Sequence, residues 1–186
     1  MTTLKIVMVG AESSGYHEFL STIKNGTCVR RSESHATFNF TVDDMPYSID
    51  LWETAGSDDY ARLRPLIYPQ TDIFLCCYGL RDPATLQRLE NICIPGAAFW
   101  IVGLGGQTFD NSSPTTRKMR DVADDMVANI GAMGCVDDCV CVQEEGDNGT
   151  MSVLTTVIRK HVEVVRQRAT THTKMARFSS GRCATQ

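Results

Sequence analysis

Runs and alternations of apolar residues divide the chain into regularly spaced elements. Residues 5–9 form a short apolar strand closed by Gly10, and residues 17–24 carry Phe19, Leu20 and Ile23 at helical spacing. Residues 36–42 alternate through Phe38, Phe40 and Val42, and residues 47–52 alternate again. Asp43-Asp44-Met45-Pro46 lies between them as a turn, which predicts a hairpin. Residues 73–78 and 99–102 are unbroken apolar runs, as expected of strands covered on both faces of a parallel sheet. Between these, residues 84–92 read as a helix ended by Pro95-Gly96. Residues 117–130 predict an amphipathic helix with Met119, Val122, Met126 and Ile130 on its apolar face. Residues 139–142 are the last strand. Residues 151–166 are the last helix, opened by Asn148-Gly149-Thr150 and carrying Val153, Leu154, Val157, Val162 and Val165. From residue 169 to 186 no apolar period remains, and a flexible basic tail is expected there.

This order predicts the α/β class, a doubly wound, mostly parallel six-stranded sheet with one antiparallel edge strand. At 186 residues the chain is expected to hold one domain over residues 1–168, followed by the tail over 169–186. No apolar run has the length to span a bilayer, and the N-terminus lacks the pattern of a secretory leader, so the expected location is the cytoplasm. Eight cysteines in that setting are expected to be reduced and packed in strands. Cys135, Cys139 and Cys141 lack the histidine pair or second CxxC that would complete a metal site, so none is expected. Charge is uneven. From residue 158 onward seven basic residues face one acidic residue, a balance of +6. The formal net charge is −4, so the remaining body carries −10. A basic tail on an acidic body suits an anionic membrane surface, and no nucleic-acid partner is expected.

Two stretches carry the candidate chemistry. Gly10-Ala11-Glu12-Ser13-Ser14-Gly15-Tyr16-His17 sets two glycines after a strand and before a helix, at the spacing of a phosphate-binding loop. Leu51-Trp52-Glu53-Thr54-Ala55-Gly56 runs on through Asp59-Tyr60-Ala61-Arg62-Leu63-Arg64-Pro65 to Tyr68-Pro69-Gln70-Thr71-Asp72. This second stretch resembles the third strand and switch II of Rho/Rac-family small GTPases nearly residue for residue. The resemblance extends over residues 4–165 and is most specific over residues 51–78. It implies the P-loop NTPase-type fold and a site for GTP or GDP with Mg²⁺.

The positions that the resemblance would make chemical depart from the family. The family loop needs a Lys to neutralise the β- and γ-phosphates and a Ser or Thr on Mg²⁺. Tyr16 and His17 stand there, and Glu12 adds a carboxylate where polyphosphate should lie. Glu53 replaces the Asp of D-x-x-G, whose Gly is Gly56. Ser57 replaces the Gln that orients the attacking water, so no catalytic residue is expected. Residues 28–35 offer no counterpart of the metal-binding Thr of switch I. Gln107 and Asp110 fit the guanine-binding motif only through a loop insertion, and Glu144 and Glu145 fall where a small backbone-donating loop is expected. A charge-assisted hydrogen bond contributes about 1.5–3 kcal/mol. Losing three removes roughly 5–9 kcal/mol, a factor of about 10³–10⁶ in affinity.

The resemblance also implies a protein-binding face made by Arg62, Leu63, Arg64, Leu66 and Tyr68, the composition that binding hot spots favour. The last four residues, Cys183-Ala184-Thr185-Gln186, fit a prenylation signal at Cys183, with Lys174, Arg177 and Arg182 as the electrostatic second anchor on the cytoplasmic face of a membrane. The expected function is that of a Rho-like pseudo-GTPase that binds Rho-family regulators or effectors and needs no cofactor. The alternative is an atypical GTP-binding signalling protein, holding GTP or GDP with Mg²⁺ and hydrolysing it weakly or not at all.

Overall fold

A computed structural model of the chain describes residues 1–15, 19, 29–32, 34–54, 62–89, 98–105, 113–130, 132, 133, 135–140 and 149–180. The strands are β1 (Thr2–Gly10), β2 (Val29–Ser32), β3 (His35–Val42), β4 (Met45–Glu53), β5 (Ile73–Gly79), β6 (Ala98–Gly105) and β7 (Cys135–Val140). The helices are α1 (Pro83–Leu89), α2 (Pro114–Ile130) and α3 (Gly149–Ser180). All strands join one sheet in the order β2-β3-β4-β1-β5-β6-β7, in which β1 is parallel to both β4 and β5.

Strict alternation along the central strands sends their side chains to two separate cores. Ile6 and Met8 of β1, Leu75 of β5 and Trp100 of β6 meet Val153, Leu154, Val157 and Ile158 of α3 on one face. Val7, Val9, Phe74, Cys76 and Ile101 meet Leu86 and Leu89 of α1 and Met119, Ala123 and Met126 of α2 on the other. A sheet buried on both faces is the doubly wound plan, and it explains the unbroken apolar runs of β5 and β6. Cys76 lies so deep that burial pushes its thiol up to about 12, which makes it an inert packing residue.

Several expectations need correction. Among the described residues the sheet has seven strands, not six, because Val29–Ser32 pairs antiparallel with β3. Its arginines, Arg30 and Arg31, give it no apolar alternation, and a short charged strand is what a sheet edge tolerates. The antiparallel flank therefore has two strands beyond β4 rather than one. The hairpin turn is tighter than the expected four residues, for only Asp43 (φ 49°) and Asp44 (φ 61°) lie outside the ladder and Met45 and Pro46 join β4. On α2 the buried stripe passes through Thr116, Met119, Ala123 and Met126, and Val122 is 44% exposed. Val165 on α3 is likewise half-exposed. β7 begins at Cys135, four residues before the expected strand. Finally, α3 continues to Ser180, so residues 169–180 are helical rather than irregular. No Pro or Gly interrupts residues 150–180, and the next helix-ending residue in sequence is Gly181.

Candidate functional site

Gly10 ends β1 against β5. A Cβ there would sit 2.7 Å from the Cys77 carbonyl oxygen and 3.1 Å from Ser14 Oγ, so the close approach requires glycine. Ala11 is extended, Glu12–Ser14 form one turn of 3₁₀ helix, and Gly15 takes the left-handed conformation (φ 84°). Within this turn the Ser14 N–H donates to the Ala11 carbonyl at 2.9 Å. Ser13 Oγ donates to Asp82 Oδ2 at 3.1 Å. Asp82 itself opens α1, since its Oδ1 accepts from the Ala84 N–H at 3.1 Å. Gly79 completes the contact, for a Cβ there would come 3.3 Å from the Ser13 carbonyl oxygen. The glycine-rich loop is thus folded on itself and fastened to the β5–α1 turn.

At the other side of β1, β4 ends in half-buried Glu53, whose N–H donates to the Ser34 carbonyl at 2.8 Å. Thr54 is buried and donates from both N–H (3.1 Å) and Oγ1 (2.8 Å) to the Met8 carbonyl, which closes the end of the strand. Beyond residue 61 the chain forms a 3₁₀ turn over Arg64–Leu66. Tyr68 packs inward with its ring edge-on to Phe74 at 5.0 Å. Leu63 and Leu66 do not pack; they are 52% and 75% exposed, beside exposed Arg62 and half-buried Arg64. Lys5 of β1 holds the end of this turn, its Nζ donating to the carbonyls of Ile67 (2.6 Å) and Pro69 (2.8 Å).

Next to this turn lies a cluster that the sequence reading missed. His35 on β3 is directly opposite Trp52 on β4, and their rings stack at 3.9 Å and 16°. Asp50, two residues before Trp52 and so on the same face, accepts from His35 Nε2 at 2.5 Å and from Trp52 Nε1 at 2.9 Å. Lys5 Nζ stands 5.4 Å from the centre of the Trp52 ring. Burial raises the Asp50 pKa, but the bonds from Trp52 and His35 and the pull of His35 and Lys5 outweigh it, and the carboxyl ends below its ordinary value. The signal available in sequence was Asp50-x-Trp52 facing His35 across a hairpin.

The expected site residues therefore fall into three groups. Gly10 and Glu53 stand at the ends of β1 and β4, and Gly15 closes the loop turn to which Glu12 contributes its backbone. Arg62, Leu63, Arg64 and Leu66 share one turn, with Tyr68 anchoring it. Tyr16, His17, Gly56, Ser57, Gln107, Asp110, Glu144, Glu145 and Cys183 lie outside the described residues. Among the described residues no group of three His, Cys, Asp or Glu side chains is arranged to hold a metal ion, and no helix is long and apolar enough to cross a membrane.

Comparison with known proteins places this geometry. The profile of the Ras family matches residues 5–94. The GTP-binding protein RHO5 of Saccharomyces cerevisiae is 44% identical over 73 residues, which are 39% of this chain and 22% of that protein. The Ras-like GTP-binding protein RhoL of Drosophila melanogaster is 44% identical over 59 residues, which are 32% of this chain and 30% of that protein. The chain thus spans less than a third of the length of either relative. Through residues 5–94, the stretch that builds the glycine loop, the hairpin and the exposed turn, the chain is similar to the Ras family and, within it, to Rho-type GTP-binding proteins.

Proposed function

We propose that the chain is a Rho-like pseudo-GTPase that retains little or no nucleotide and binds Rho-family regulators or effectors through the surface of Arg62, Leu63, Arg64 and Leu66. The observation that carries this reading is the exposure of Leu63 and Leu66 on a turn fixed to the sheet by Lys5. Two leucines kept in water on a pinned backbone are costly unless something covers them, and a preformed apolar patch beside arginines lowers the ordering cost of association. The glycine loop supports the other half of the proposal. A phosphate cradle works by pointing free N–H groups at the anion. Here the Ser14 N–H is satisfied by Ala11 and the loop is tied to Asp82. Together with Tyr16, His17 and Glu12, this is a poor fit to a polyphosphate with its metal.

One observation favours the atypical GTP-binding alternative. Gly15 keeps the left-handed turn that leads a phosphate loop into its helix, and both relatives are named as GTP-binding. The partner claim is tested with a panel of purified Rho exchange factors, dissociation inhibitors and effector domains, measured against the wild-type chain and Leu66→Asp. Binding by at least one of them that Leu66→Asp abolishes is the expected result. No binding across the panel, or binding that Leu66→Asp leaves intact, overturns the claim.

A further inference from the structure

The apolar turn described above is held from the sheet, and the holding group is itself held. A lysine stem is flexible and its ammonium carries three donors. Two of these reach the carbonyls of Ile67 and Pro69, which leaves the direction of the stem to be set by its neighbours. The neighbour is the indole of Trp52, from β4 on the flank of β1. That indole has little freedom of its own. Its edge is bonded to Asp50 Oδ2 and its face is covered by the His35 ring, which is bonded in turn to Asp50 Oδ1. A carboxylate only accepts hydrogen bonds, so His35 Nε2 carries the shared proton and one carboxylate ties two rings together.

We propose that His35 and Asp50 are positioning residues for the 62–70 surface, fixing the Trp52 indole against which Lys5 lies and so fixing the ammonium that pins the turn. This inference rests on the reading of that turn as the partner surface for its biological meaning, but the coupling itself is measurable on the isolated chain. It gives the pair at positions 35 and 50 control over which partners fit, without either residue touching them.

The test is hydrogen exchange on the full chain in a double-mutant cycle. The reporters are the amides of Leu66, Ile67 and Thr71, bonded within the turn to Leu63, Arg64 and Tyr68, with the amides of β5 as internal reference. Lys5→Met is expected to speed exchange at the reporters by about tenfold, the loss of one or two charge-assisted bonds. Asp50→Ala is expected to do the same from a distance, leaving β5 unchanged. Because both act along one line, the double variant exchanges no faster than Lys5→Met alone. Asp50→Asn keeps an acceptor for Trp52 and restores part of the protection; it also serves where the alanine variant fails to fold. Wild-type exchange at the reporters in both Asp50 variants, or effects that multiply in the double variant, overturns the proposal. Failure of the partner panel with the coupling intact removes the binding reading alone.

Discussion

Arg159 on α3 and Asp43 in the β3–β4 turn are 116 residues apart and meet through two bonds, Nε to Oδ2 at 2.8 Å and Nη2 to Oδ1 at 2.6 Å. The bond from Arg159, with its charge, lowers the Asp43 carboxyl below its ordinary value by more than desolvation raises it, and Asp43 raises Arg159. Both side chains are more than half exposed, so solvent screening leaves the pair a minor source of stability. Backbone conformation matters more at this turn. Asp44 sits at φ 61° with no side-chain bond among the described residues, whereas Asp43 is tied down by Arg159. Asp44→Gly is expected to stabilise the chain by about 0.5–1 kcal/mol in urea unfolding, since only glycine reaches that region without strain. Arg159→Ala is expected to lose a small amount that disappears at high salt.

Gly10→Ala is expected to destabilise by about 1–3 kcal/mol, as overpacking does in a rigid surround. The added carbon meets the Cys77 carbonyl at 2.7 Å, and that backbone belongs to a fully buried strand that has nowhere to move. Thermal unfolding of the variant checks this. A midpoint equal to wild type would mean that the loop leaves β1 by another path.

Leu63→Ser and Leu66→Ser are expected to leave stability within about 0.5 kcal/mol of wild type, because both side chains stay more than half exposed in the folded chain. Tyr68→Ala, by contrast, removes a ring packed on Phe74 and is expected to cost about 1–3 kcal/mol. Urea unfolding of the three variants separates a surface patch from a packed one.

Acid is expected to weaken the hairpin through Asp50. Its pKa in the folded chain is below the ordinary 3.8, so its contribution is complete above that value and is lost as pH falls through the lower folded value. Asp50→Asn removes that dependence. The prediction is a flatter acid limb of stability below about pH 4 for the variant, followed by Trp fluorescence.

Much of this was legible in the residues. The order and burial of β1, β5 and β6 followed from apolar runs such as Ile73 to Tyr78, because a strand covered on both faces needs no polar side. The hairpin followed from the alternation of Phe38, Phe40 and Val42. What escaped was set by tertiary contact. Val29–Ser32 becomes a strand only because β3 offers an open edge, and nothing in Val-Arg-Arg-Ser predicts it alone. The residues of the candidate surface were visible in Arg62-Leu63-Arg64-Pro65-Leu66, but Lys5 lies more than sixty residues away, and only the β1–β4–β5 register brings it beneath Ile67 and Pro69. The same register explains why His35, Asp50 and Trp52, which fall in separate stretches of the sequence, were not read as one cluster.

The central claim is that the glycine loop no longer holds a nucleotide, and equilibrium binding of fluorescent GDP and GTP to the purified chain, with and without Mg²⁺, tests it most directly. The account predicts no saturable binding up to about 100 μM, in keeping with the loss of several charge-assisted bonds. Saturable, Mg²⁺-dependent binding of either nucleotide below about 1 μM would contradict it.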